Sequence, residues 1–206
     1  MEFALLSVFI PTFFFVSLTP GMCMTLAMTM GMTIGVKRAL WMMLGELVGV
    51  GLVAALAAAG VAALLLNYPN FFLAFKLLGG AYLAYIGVQM WRSKGKMAIQ
   101  LEQEKTQASR RELALQGFVT AIANPKGWAF FVALLPPFLN PEQALGSQLV
   151  TLISVILTLE FMCLLIYASG GRTLRSLLLQ SSNVRALNRF SGSLMVGVGA
   201  WLGFGS

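Results

Sequence analysis

Residues 39–66 read ALWMMLGELVGVGLVAALAAAGVAALLL, an apolar run broken by a single charge, Glu46. The hydrocarbon core of a bilayer is crossed by roughly 20 apolar residues in a helix, and this run exceeds that length. In hydrocarbon every backbone N–H and C=O must be bonded within its own segment, so the run is a helix and not a strand of an open sheet. Five more segments of this kind flank it, at residues 3–34, 71–91, 113–138, 145–169 and 184–204. The last is the weakest. Its uncharged part is about 15 residues, roughly 22 Å at the helical rise, so it spans only if Arg185 and Arg189 reach the interface or the bilayer thins.

Composition agrees with this reading. Of 206 residues, 58% are hydrophobic and only 10% charged, with no His and no Asp, and the mean hydropathy is +0.83. A chain this apolar would expose large greasy patches if it folded alone in water. The net charge of +7 does not point to nucleic acid, because the cations sit in short loops between apolar segments rather than on one face. Met1-Glu2 offers no basic leader, so the first segment reads as a retained span rather than a signal peptide. Cys23 and Cys163 both fall in apolar segments and read as buried, inert thiols.

The cations set the expected orientation. Lys76 and Lys126 lie within segments; the other Lys and Arg all fall in loop one (Lys37, Arg38), the 92–112 loop and loop five (Arg172 to Arg189). Loops two and four and both termini carry none. The positive-inside rule then puts the basic loops in the cytoplasm and both termini outside. The expected fold is a single domain, 1–206: an all-α polytopic membrane protein of six transmembrane helices. Its first half, 1–91, and second half, 113–206, are joined by the polar loop 92–112. Three spans per half is an odd number, so the halves are inverted, a plan common in secondary transporters. The stretch 171–188 reads either as a short interfacial helix or as a plain loop.

Two interruptions stand in matching spans. In Thr19-Pro20-Gly21, Thr reads as the N-cap of a new helix and Pro as its first residue; Asn124-Pro125-Lys126 repeats the pattern in span four. The chemical reading is two broken helices (spans 1 and 4) whose half-helix N-termini meet and hold a carboxylate. The bland reading is two proline kinks, which membrane helices tolerate. A charge within a span costs about 2.5–3.5 kcal/mol on insertion scales and needs a partner or a watery cavity. Glu46 and Glu160 occupy matching second spans, and Lys126 follows the second break directly. A site of this kind holds both ends of a zwitterion: Thr19, Pro20, Gly21, Asn124, Pro125 and Lys126 toward the carboxylate, Glu46 and Glu160 toward the ammonium or a proton. The alternative is a structural Lys126–Glu160 ion pair. Trp128, one turn on, reads as a cavity wall or as packing. Lys76, near the end of its span, reads as a snorkelling cation. The pairs Gly31/Gly35, Gly45/Gly49 and Gly199/Gly203 form G-x-x-x-G, which lets helix backbones approach. No phosphate-binding loop, Ser-His pair or Cys-x-x-Cys occurs, which argues against an enzyme, a metal site or any cofactor.

At these residues the sequence resembles the LysE/RhtB superfamily of bacterial amino-acid exporters. The resemblance is carried by Leu18-Thr19-Pro20-Gly21, by the run from Leu78 to Gly87, by Asn124-Pro125-Lys126 with Phe130-Phe131 and Pro136-Pro137-Phe138, by Glu160, and by Leu187-Asn188-Arg189 with Gly192. It implies an inner-membrane carrier that expels small amino acids or their derivatives by alternating access, driven by the proton gradient. Through Gly87 to Arg92 it is most similar to the branch associated with homoserine, homoserine lactone and threonine. Met22 departs from the pattern, where the family usually has a second proline. The partners implied are a small amino acid, protons and lipid, with a homodimer as a further expectation. Two other classes stay open: a thiol-disulfide redox carrier using Cys23 and Cys163, and a channel or packing subunit of a larger complex.

Overall fold

In the computed structural model, residues 3–67, 69–93, 108–135, 138–140 and 144–204 are described. Pro136, Pro137 and most of the 92–112 loop lie outside them, as does the Lys76 side chain. Among the described residues all the regular structure is helical. The helices are α1 (Phe3–Leu18), α2 (Met22–Thr33), α3 (Val36–Asn67), α4 (Pro69–Arg92), α5 (Arg110–Ala123), α6 (Pro125–Leu134), α7 (Leu145–Leu179) and α8 (Ser181–Phe204).

Val36–Gly60 and Leu145–Gly171 are each long and apolar enough to cross a membrane, and the bent pair Leu6–Leu18 with Met22–Thr33 makes a third crossing if it is one span. On α3 the residues Leu44, Val48, Leu52 and Leu56 form an exposed stripe at every fourth position. In water such a stripe is an aggregation surface; against lipid tails it is at home.

The expected interruptions are present. The first segment bends by 59° between α1 and α2. The second breaks at Asn124, which ends α5 and begins α6 in extended backbone. The stretch 171–188, left open between helix and loop, is helical: α7 runs on to Leu179 after a non-helical step at Gly171, whose φ of 46° glycine tolerates, and α8 begins at Ser181.

Glycine sets how closely the helices pack. A Cβ on Gly45 would sit 1.8 Å from the Ala114 carbonyl oxygen, and one on Gly117 would sit 2.0 Å from that of Met42, so α3 and α5 touch backbone to backbone. The α4–α8 contact repeats this: a Cβ on Gly87 or on Gly192 would lie 2.5 Å from the other's carbonyl oxygen, and Gly199 meets Gly80 in the same way. Besides these pairs, α7 packs on α1, α2 and α3, α6 on α3 and α4, and α3 and α7 also touch α4 and α8 respectively.

The interior divides into two apolar clusters. One gathers Phe9, Phe13, Val53, Leu134, Phe138, Leu152, Ile156 and Met195. The other gathers Met28, Met30, Met42, Leu113, Cys163, Tyr167, Leu178 and Val184. The chain crosses from one to the other several times, and three of the crossings carry the polar groups marked in the sequence. Between Val16 and Cys23 lies Thr19, between Met43 and Val50 lies Glu46, and between Ile156 and Cys163 lies Glu160. Thr19, Glu46 and Glu160, with Ser191 between Val184 and Met195, therefore occupy the seam, while Thr12, Thr29 and Gln148 are buried elsewhere.

The basic ends meet on the side of the second cluster. Arg38 Nη2 donates to the Ala108 carbonyl at 2.6 Å, and Arg110 lies over the Trp41 ring. Asn188 Nδ2 donates to Ser93 Oγ at 3.1 Å, and Arg189 lies over Trp91.

Candidate functional site

A helix that stops inside the protein leaves its last four carbonyls without partners, and in a dry interior each needs one. At the end of α1 these partners come from distant helices. Ser191 Oγ donates to the Phe15 carbonyl at 2.9 Å, and Tyr167 Oη to that of Leu18 at 2.7 Å. The Lys126 ammonium donates to the Val16 carbonyl at 2.9 Å, to Thr19 Oγ1 at 2.5 Å and to the Thr19 carbonyl at 3.5 Å. A cation at a helix C-terminus also suits the negative end of the helix dipole. Lys126 thus ties α6 to the broken end of α1.

The two breaks differ. At the second, the reading of Asn124 as cap and Pro125 as first helical residue is met: Asn124 Oδ1 accepts from the Lys126 N–H at 3.1 Å. At the first, the expectation is overturned. Thr19 does not cap α2; its hydroxyl turns back to the Val16 carbonyl at 2.5 Å. Gly21 holds the cap position and supplies no side-chain hydrogen bond, so α2 starts at Met22 with its leading N–H groups uncapped. The competition is local: a Thr hydroxyl serves the helix behind it as readily as the helix ahead, and Lys126 donating to the same oxygen favours the backward choice.

These ends line a cavity of about 60 Å³, enough for a few waters. Thr19, Gly21, Cys23, Asn124, Lys126 and Glu160 supply its polar wall; Phe13, Val50, Val53, Phe130 and Phe131 are among its apolar lining. A Cβ on Gly21 would stand 3.9 Å from Lys126 Nζ, so the ammonium overlooks the uncapped start of α2. Glu160, 8% exposed, accepts from Ser17 Oγ at 2.7 Å. Lys126 and Glu160 therefore share the cavity while each bonds elsewhere. Glu46 is fully buried; among the described residues neither carboxyl oxygen has a hydrogen-bond partner, and Cys23 and Glu160 are its ionisable neighbours. Asn124 Nδ2 reaches Cys23 Sγ at 3.6 Å.

Of the residues picked out from sequence, Thr19, Gly21, Asn124, Lys126 and Glu160 come together on this cavity, with Glu46 behind it. Pro125 opens α6 beside it, and Pro20 lines a neighbouring cleft instead. Trp128 is not on the cavity wall: its indole donates across the break to the Ile122 carbonyl at 2.9 Å, and its ring packs on the first apolar cluster. Ser17, Tyr167 and Ser191 were not anticipated. The one sequence signal for them is a hydroxyl within an apolar segment. Cys23 and Cys163 are buried and free.

Comparison with known proteins gives the family. Across 190 residues the chain is 29% identical to the homoserine/homoserine lactone efflux protein of Salmonella typhimurium, covering 91% of this chain and 90% of that one. It is 26% identical over 195 residues to the leucine efflux protein of an Enterobacter species, covering 92% and 90%. An uncharacterized membrane protein of Vibrio cholerae is 25% identical over 187 residues, covering 90% of each. No solved structure matches. The family model described as LysE type translocator matches residues 14–206. The chain, with its helices interrupted around one polar cavity, belongs to the LysE family of translocators and is a transporter rather than an enzyme.

Proposed function

We propose that this protein exports small zwitterionic amino acids or close derivatives, homoserine-like or threonine-like in size, from the bacterial cytoplasm across the inner membrane in exchange for protons. The single observation that carries the reading is the cavity where the uncapped start of α2 faces the Lys126 ammonium, with Glu160 on the same wall. Uncapped N–H groups, a helix dipole and an ammonium together bind a carboxylate. Glu160, backed by Glu46, is then the acceptor for the substrate ammonium or a proton. The names of the relatives support the substrate class.

Six spans in two inverted halves agree with part of the packing; among the described residues α2–α3, α4–α6 and α1–α8 have no counterpart of similar extent. If α1 and α2 correspond to α5 and α6, α3 to α7 and α4 to α8, then α3–α5 has its counterpart in α7–α1. Likewise α2–α7 answers α6–α3, and α3–α4 answers α7–α8. The pairs α4–α8 and α3–α7 are their own counterparts. Rocking one half against the other would open the cavity to each side in turn. The meeting of the basic ends supports cytoplasmic placement of loops one, three and five.

The test is export of labelled homoserine from loaded proteoliposomes under an imposed pH gradient. The expected result is efflux that collapses with the gradient. Efflux equal to that of empty liposomes for homoserine, threonine and leucine alike would refute the reading.

A further inference from the structure

A second cleft, of about 450 Å³, adjoins the central cavity and shares two residues with it, Thr19 and Lys126. Its long wall is α4. Tyr82, Tyr85 and Gln89 fall at steps of three and four along that helix and so lie on one face, Ser93 follows just past its end, and all four line the cleft. Gln89 Nε2 donates to the Tyr85 hydroxyl, and the Tyr82 and Tyr85 rings lie 6.3 Å apart between centroids. At the far rim the Asn188 side chain reaches Ser93, at the end of the molecule where the basic loops gather. Polar groups facing hydrocarbon would lack partners; around a wet cleft they have water.

From this we infer that the α4 cleft is a loading subsite for the same small zwitterion. Reached from the basic side, it is separated from the central cavity by the hydrogen-bonded Lys126–Thr19 contact. The inference rests on the exporter reading. The Gln89 amide and the tyrosine hydroxyls hydrogen-bond the carboxylate, and the tyrosine faces receive the ammonium. Passage inward needs only that Lys126 exchange the Thr19 and Val16 oxygens for the incoming carboxylate. No new group is required.

The experiment places one cysteine at a time, Gln89→Cys or Val88→Cys, in a Cys23→Ser, Cys163→Ser chain. A membrane-impermeant thiol reagent is then applied to inside-out vesicles and to spheroplasts. Gln89→Cys should react from the cytoplasmic face only and be protected by homoserine, while Val88→Cys, outside the cleft, should be unprotected. Reaction from the outer face, or no protection, would overturn the subsite. Should the cysteine-free chain not accumulate, Gln89→Leu in the otherwise unaltered protein gives the same decision. It should raise KM for homoserine roughly tenfold, the worth of one hydrogen bond, with kcat held; an unchanged KM contradicts the subsite. Unaltered protein that moves no amino acid would sink the exporter reading itself, and with it the ligand assigned here, an outcome distinct from wrong-sided labelling.

Discussion

The Lys126 ammonium has three oxygens of the α1 end within hydrogen-bond reach. It therefore ties the two sides of the break together and stands beside the uncapped α2 N-terminus. Replacing it by methionine keeps the length and loses both roles. Export by Lys126→Met should fall roughly 10- to 100-fold, the range for a hydrogen bond to a charged group, as read by homoserine efflux from vesicles with matched protein content. Tyr167 acts differently, since its hydroxyl satisfies the Leu18 carbonyl and stands off the cavity. Tyr167→Phe should lower thermal stability in detergent by about 1–3 kcal/mol, the cost of one orphaned buried carbonyl, with substrate KM unchanged. The two breaks also show how far residue identity reached. Asn124-Pro125 was legible because cap and proline act within three residues. Thr19 was not, because its direction is settled by a lysine 107 residues away in sequence.

Among the elements, the close helix pairs are built on missing side chains. Gly45 and Gly117 leave no room for a Cβ between α3 and α5, and Glu46 is the residue after Gly45. A valine at Gly45 forces the helices apart at the level of the buried carboxyl. Overpacking of this kind costs about 1–3 kcal/mol or more, so Gly45→Val should accumulate poorly and melt earlier than Gly60→Val, whose site is open. Asn124→Ala should lose about 0.5–2 kcal/mol of helix capping, measured as a lower unfolding midpoint, and Asn124→Asp should recover most of it. Helix positions were readable from sequence because apolar runs and breakers are local signals. Which helices pair was not. The G-x-x-x-G pairs marked Gly31, Gly45, Gly49 and Gly199 correctly, yet Gly80, Gly87, Gly117 and Gly192 make similarly close contacts without being marked for packing. Spacing along one helix says nothing of the surface that meets it.

Taken whole, the molecule is two apolar clusters with a polar seam between them, and the inserted charges were the legible sign of that seam. Glu46, Lys126 and Glu160 were found because a charge in an apolar run is conspicuous. The cleft beside α4 was not foreseen, since tyrosines and a glutamine near a span end pass for interfacial residues. If the basic ends face the cytoplasm, Ser109→Cys in a cysteine-free chain should react with an impermeant reagent only from that side, and Ala144→Cys only from the other; the reverse pattern would invert the topology. The central claim is that the cavity between the two interrupted helices, with Glu160 on its wall, is the transport site. Its most direct test is the rate of proton-driven homoserine efflux by Glu160→Gln beside the unaltered protein in the same proteoliposomes. The account predicts background flux from a variant that still folds and inserts. Efflux at the unaltered rate would contradict it.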